Sequence, residues 1–409
     1  MSRHPGRFEF IALMAMLLAT VAFTIDAMLP ALPEIAATLS PDNPNRAQLI
    51  VTAFVFGMGL GTFLAGPISD ATGRKPAIVG GLALYIVGAI LASQAQTLET
   101  LLAARLVQGL GAAAPRIVAQ AMIRDRFEGR QMAQVMSFVM MVFLLVPAVS
   151  PAVGSIIIDA FGWRAIFGAF ALFTLTGGLW LTIRQPETLV PADRHPMRAG
   201  LMRLAVAEVL RRADVRIYIA VLTLGTAQMF ALVSSVQQIY DIYLGFGDTF
   251  EWWFMATAIL SGTGTIVNAA LVMRLGMRRI AIWAYGVQSL ISLALIAADL
   301  LGWVSPGIAL PVFFCWSVSV YFMIGLTFGN LNSLALQPLG HIAGMAASVI
   351  GSISTIFGTI LAVPIGLAFD GTPLPLYAGT LVCSALAYLL MRRTMEAEGA
   401  PADQVAPGH

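Results

Sequence analysis

Asp26, Arg105 and Arg116 are the ionisable residues that fall well inside the long apolar runs of this 409-residue chain. A charge held mid-bilayer costs at least about 2.5–3.5 kcal/mol, so such groups face a cavity or a partner. Asp26 lies seven residues before Pro33, at the outer end of its run. Arg105 lies seven residues after Leu98, at the outer start of its own. Each is therefore about 10 Å below the outer surface, and equal depth permits pairing across a cavity. In hydrocarbon a carboxyl prefers its neutral form, whereas a guanidinium beside it favours the carboxylate. Moving the arginine, or admitting a cationic or polar cargo, would change the grip on a proton. This is the chemistry of a proton carrier, with Asp26 carrying and Arg105 tuning; the plainer alternative is a static ion pair that fixes packing. Arg116 comes eleven residues after Arg105, close to three turns, so it points the same way about 16 Å further in. There it either meets anionic substrates or snorkels to the inner head groups.

Uncharged polar residues in a span need partners or water. The seventh run carries Gln228, Ser234, Ser235, Gln237, Gln238 and Tyr240, and the tenth carries Tyr321, Asn330 and Asn332. Gln228, Gln237, Tyr240, Tyr321 and Asn330 are, with Arg116, the candidate lining of a substrate cavity; the alternative is interhelical hydrogen bonding. Met14, Met140, Met141, Met229, Phe143 and Phe230 are candidates for an adaptable apolar wall.

These residues need membrane-spanning elements to hold them. The chain is 58% hydrophobic and only 11% charged, against about 25% charged in soluble domains. Twelve apolar runs can be drawn near 9–33, 47–68, 76–96, 98–123, 131–158, 163–184, 216–242, 250–273, 279–299, 303–336, 342–370 and 373–391, each long enough to cross a core of about 30 Å. The first is too long for a signal-peptide h-region and lacks a clear cleavage site. With the N-terminus in the cytoplasm, 19 of the 23 Lys and Arg residues fall on the cytoplasmic side, Arg3, Arg194 and Arg198 among them. Arg46 and Arg164 fall outside. The positive-inside rule therefore places both termini in the cytoplasm. The net charge of +2 reflects this topology and gives no reason to expect a nucleic-acid partner.

The expected fold is an all-α integral membrane protein, with twelve transmembrane helices in two six-helix halves around a central cavity. Residues 1–184 form one half and 216–392 the other. Residues 185–215 link them, with a short amphipathic helix over 201–213 lying on the inner surface, and 393–409 form a cytoplasmic tail. Cys315 and Cys383 read as small buried hydrophobes. No H-E-x-x-H, phosphate-cradling G-x-x-x-x-G-K-S/T or membrane His cluster is present. No enzyme, ATP drive, metal site or cofactor is therefore expected; with Asp26 as the carrier, protons would be the coupling ion.

The stretch Gly66-Pro67-Ile68-Ser69-Asp70-Ala71-Thr72-Gly73-Arg74-Lys75-Pro76 is almost the sole polar break between the second and third runs, and its glycines and prolines predict a tight turn. It resembles the G-x-L-(S/A)-D-x-x-G-R-(R/K) loop of the major facilitator superfamily. Arg105-Leu-Val-Gln108-Gly109 is similar to the R-x-x-Q-G element of the fourth helix in that family. Pro147-Ala-Val-Ser150-Pro151-Ala-Val-Gly154-Ser155 resembles its fifth-helix G-P-x-x-G-G element, with serines replacing two glycines. Asp26-Ala-Met-Leu-Pro30-Ala-Leu-Pro33 resembles the D-M-Y-L-P-A-L-P segment of the bicyclomycin-resistance (Bcr/CflA) drug exporters, and Gly162-Trp163-Arg164 and Ala343-Gly344 look like that subfamily too.

The resemblance implies proton-driven efflux of small amphipathic drugs by alternating access, by a monomer in the bacterial inner membrane. A narrow-specificity metabolite carrier is the alternative. Gly66, Asp70, Gly73, Arg74 and Lys75 are then candidates for a conformational latch: Asp70 binding a helix N-terminus or a base of the other half, and Arg74 pairing with Asp125. That these cations simply hold the loop inside is compatible with this. Pro147, Pro151 and Gly154 are candidates for a hinge.

Overall fold

The computed structural model describes residues 5–194 and 199–399. Arg3, Arg198 and the tail beyond 399 lie outside the described residues. The helices are α1 (Arg7–Asp26), α2 (Leu32–Leu39), α3 (Leu49–Thr72), α4 (Arg74–Ser93), α5 (Leu98–Arg126), α6 (Gly129–Phe161), α7 (Arg164–Arg184), α8 (Ala199–Arg211), α9 (Ala213–Gln238), α10 (Phe250–Leu275), α11 (Met277–Leu300), α12 (Pro306–Leu336), α13 (Ala343–Leu367) and α14 (Leu374–Gly399).

Eleven continuous stretches are long and apolar enough to span a membrane. One of them, Pro306–Leu367, is 62 residues long. It is two helices, α12 and α13, joined by a 3-10 turn over Gln337–Ile342 in which Leu339 is non-helical. The described residues thus contain the twelve expected spans, and the protein is an all-α, multi-pass membrane protein. Large apolar side chains such as Ile156, Ile266, Leu290 and Leu300 stand exposed on its flanks, which only a lipid surround would cover. Cys383 is buried, but Cys315 is exposed on the flank of α12, correcting the expectation of two buried thiols.

Two boundaries differ from the sequence expectation in ways that matter. The first span does not stop near Pro33. It breaks after Asp26, passes through a 3-10 turn at Leu29–Ala31 and continues as α2 to Leu39. The 66–76 stretch is not one tight turn: Pro67 is accommodated inside α3, which runs to Thr72. The reversal is made at Gly73 alone, with φ 108°, a region open to glycine but costly for other residues. Gly276, at φ 80°, does the same between α10 and α11, so the glycine–basic pattern repeated in the sequence is also repeated in the backbone.

Helices α1 and α3–α7 pack mainly on one another, as do α9–α14; α3 against α13 and α6 against α10 join the two sets. Close approach of α3 and α5 depends on glycine, because a Cβ on Gly57 would lie 2.2 Å from the Leu106 carbonyl oxygen and one on Gly109 would lie 2.0 Å from that of Phe54. The start of α5 is fixed by a capping box between Thr97 and Thr100. The amphipathic segment forms α8, whose Ala205 and Val209 are buried and whose Leu204 is exposed; it lies against α9 and α13.

Candidate functional site

Asp26 is the last residue of α1, 6% exposed, at the break in the first span. Its carboxyl forms no ion pair or hydrogen bond among the described residues. The next residue, Ala27, is pressed by Gly154 of α6: a Cβ there would lie 2.2 Å from the Ala27 carbonyl oxygen. Pro147 and Pro151 lie in the same helix, one turn apart, and each removes a backbone N–H from the helical ladder. The proline–glycine element therefore bears directly on the break beside Asp26.

The expected Asp26–Arg105 pair is not formed. Arg105 is fully buried. Its Nη1 donates to Gln108 Oε1 at 2.7 Å and its Nε to the Ile50 carbonyl oxygen at 3.3 Å, and the guanidinium lies 4.4 Å from the centre of the Phe54 ring. Both side chains are buried, but they do not face one another. Thr24, two residues before Asp26, is the α1 residue facing this region: its hydroxyl hydrogen-bonds the Tyr85 hydroxyl, which is within electrostatic reach of Arg105. Two residues along a helix is a rotation of about 200°, so Asp26 points elsewhere. It lies within electrostatic reach of Tyr321 on α12, in the other set of helices, whose hydroxyl is buried without a hydrogen-bond partner among the described residues.

Arg116 is partly buried, and its Nη1 approaches the Met58 sulfur at 3.6 Å. The other cavity candidates divide. Gln228 is fully buried and accepts from Ser384 Oγ at 2.7 Å. Asn330 and Asn268 exchange amide hydrogen bonds, the shorter 2.7 Å. Tyr240 packs among Phe250 and Phe313. Each of these three joins its helix to a neighbouring one, the alternative that the sequence left open. Gln237 lines a cleft at the end of the molecule remote from Gly73, not a central cavity.

That remote end is shut by contacts between the two sets of helices. Gln48 Nε2 donates to Gln238 Oε1 at 2.7 Å, and Ser235 Oγ to Gln48 Oε1 at 3.0 Å. Gln238 Nε2 donates to Asn45 Oδ1 at 2.7 Å, and Asn45 Nδ2 to the Phe369 carbonyl oxygen at 2.6 Å. Asn45 and Gln48 stand just ahead of α3 and drew no attention as sequence; the signal was a cluster of amides at the mouths of two spans.

At the opposite end, Arg74 joins Asp70 (2.5 Å) and Asp125 (2.9 Å), as expected for the second acid. Asp70 is thereby held by its own set of helices rather than by the other. Lys75 Nζ donates to the Thr182 carbonyl oxygen at 2.7 Å. Gly66 is the member of this group that faces across, since a Cβ there would lie 3.1 Å from Ser348 Oγ on α13. The N-terminus of α4 is capped by a residue that sequence reasoning missed. Glu187, just past α7, accepts from the backbone N–H groups of Arg74, Lys75, Thr188 and Leu189, each at 3.0 Å. A Cβ on Gly73 would sit 2.7 Å from its Oε2, so Gly73 also makes room for the cap. Among the described residues no cluster of His, Cys, Asp and Glu is placed to hold a metal ion.

Comparison with known proteins agrees with this architecture. Residues 12–393 match the model of the Major Facilitator Superfamily. The chain is 28% identical to a bicyclomycin resistance protein homolog of Haemophilus influenzae over 98% of this chain and 100% of that protein. It is also 28% identical to the multidrug resistance protein MdtL of Escherichia coli K12, over 90% of each. Among solved structures, a D-xylose–proton symporter superposes with a TM-score of 0.72 at 14% identity, covering 93% of this chain and 97% of that one. At that identity the likeness is one of fold.

Proposed function

Since the chain belongs to the major facilitator superfamily and is a transporter rather than an enzyme, we propose that it exports small amphipathic drugs across the inner membrane in exchange for protons, by alternating access. The observation that carries this reading is Asp26: a buried carboxyl with no ion-pair partner among the described residues, at a break in the first span and within electrostatic reach of Tyr321 in the other set of helices. The drug-resistance relatives support the choice of cargo.

The arginine-rich end is cytoplasmic by the positive-inside rule, with both termini there, so the amide contacts around Gln48 shut the outer end. Asp26 takes a proton while that end is open and gives it up once the protein has turned inward. A neutral carboxyl crosses the hydrocarbon-lined interior at far lower cost than a carboxylate, so proton occupancy and the direction of opening are tied together. Arg105 acts as a positioning residue: oriented by Gln108 of its own helix, it holds α5 on α3 through Ile50 and Phe54, and Thr24–Tyr85 ties α1 to α4 beside it. Gly154 against Ala27 transmits movement of α6 to the break. Protons are the coupling ion, and no cofactor takes part.

The test is drug-driven proton release from vesicles, with the chain expressed in a strain lacking its own pumps. Asp26→Asn should abolish release while leaving drug binding measurable; unchanged release would refute the role. Protection against a drug panel should vanish when an ionophore collapses the gradient. A second reading, a narrow carrier of one anionic metabolite, is favoured by Arg116, a guanidinium without an acidic partner among the described residues. Gradient-driven accumulation of a single anion, lost in Arg116→Gln, with no drug protection, would select it.

A further inference from the structure

The remote end holds a cleft of about 430 Å³ between α2, the turn at Pro44–Gln48 and the end of α9. This is within the size range of small-molecule sites. Its walls are mainly apolar, with Leu32, Ala36 and Ala37 on one side. Three glutamines reach it. Gln48 and Gln238 are occupied by each other and by Ser235 and Asn45. The third, Gln237, is 5% exposed, and its Oε1 is buried with no hydrogen-bond partner among the described residues. A buried carbonyl oxygen left this way costs free energy that a donor would recover. One turn further along, Asp241 stands exposed at the rim and forms no ion pair among the described residues.

We propose that this cleft is a second binding site, for a lipophilic ammonium ion. Its apolar body fills the space beside α2, one N–H reaches Gln237 Oε1 and the positive charge faces Asp241. An unpaired buried carbonyl oxygen with a carboxylate at the rim suits a protonated amine, and the carboxylate repels an anion. Because α2 continues the first span and α9 belongs to the other set of helices, the cleft exists in this form only while that end is shut. An occupant therefore favours the shut state by its differential affinity and arrests the cycle from outside the central path. The site does not depend on what the protein exports.

The test uses the full chain in lipid nanodiscs and three photoreactive azidophenyl-diphenylalkyl probes that share one body: a secondary amine, its quaternary ammonium counterpart and its alcohol. After irradiation the adducts are mapped by peptide mass spectrometry. The amine should label residues 32–48 and 234–242, and label them about tenfold or more above the alcohol, the effect of one charge-assisted hydrogen bond. The quaternary ion, which has charge but no N–H, should fall between them. Ala37→Trp, at an exposed position, should abolish those adducts and spare any in the central region. Asp241→Asn should erase the preference for amine over alcohol. Adducts confined to the central helices, equal labelling by amine and alcohol, or labelling unaffected by Ala37→Trp would each overturn the proposal.

Discussion

Replacing Gln48 with leucine should loosen the end of the protein that is shut in this conformation. Gln48 is 4% exposed and makes two hydrogen bonds across the two sets of helices, at 2.7 Å and 3.0 Å. A net hydrogen bond between neutral groups contributes about 1 kcal/mol, so losing both removes about 2 kcal/mol from the shut state, a shift of about thirtyfold in its equilibrium with the open one. Leucine nearly preserves the volume, and the Asn45–Phe369 and Gln238–Asn45 bonds remain, so the end is weakened and not destroyed. The assay is the distance distribution between spin labels at Thr38 and Ile242, both exposed, measured by pulsed electron resonance in nanodiscs. A second, longer component should appear in Gln48→Leu. Gly366→Ala should give the same result from the other side, because its Cβ would lie 2.2 Å from Gln48 Oε1. In Gln48→Leu/Gln238→Leu the loss should fall short of the sum of the single losses by about 1 kcal/mol, since the orphaned partner is gone as well. Unchanged distributions in both Gln48→Leu and Gly366→Ala would refute the idea that these amides hold the end shut.

Other substitutions probe the remaining parts. Gly154→Ala should lower the thermal midpoint by a few degrees and impair transport, because its methyl meets a backbone carbonyl that cannot yield; overpacking of this kind costs about 1–3 kcal/mol. Arg74→Gln should cost about 1–3 kcal/mol, tempered by the half-exposed Asp70, and Arg74→Lys should restore only part of it, since one ammonium cannot fork between Asp70 and Asp125; thermal unfolding reads both. Gln228→Leu should reduce stability through loss of the Ser384 bond and leave the range of transported drugs unchanged; the opposite pattern would return Gln228 to the cavity lining.

Much of the fold was legible because hydropathy and the placement of arginine are properties of the linear chain. A run of about twenty apolar residues has few ways to satisfy its backbone in lipid other than a helix. Asp26 was legible for the same reason, as an acid where none belongs. Its partner was not, because pairing depends on rotation about the helix axis as well as depth: Thr24 and Asp26 differ by about 3 Å in height but face opposite sides. Gln228, Tyr240 and Asn330 show the same limit, since a polar side chain in a span looks alike in sequence whether it meets water or another helix. The Arg74–Asp125 contact was found because both charges lie at helix ends on one side of the membrane. Glu187 was not, as nothing in a post-helical Pro-Glu-Thr marks it as the cap of a helix more than a hundred residues earlier.

Glu187 also sets a mechanical limit. By binding the backbone of Arg74 and Lys75 it moors the chain leaving α7 to the start of α4. The length of chain between this mooring and α8 is then counted from Leu189 instead of Arg184. At about 3.4 Å per residue its greatest reach falls from about 50 Å to about 34 Å. In the alternating-access cycle proposed above, the mooring would act as a stop on the swing between the two sets of helices, fastened to the same loop that carries the Gly73 reversal and the arginine fork.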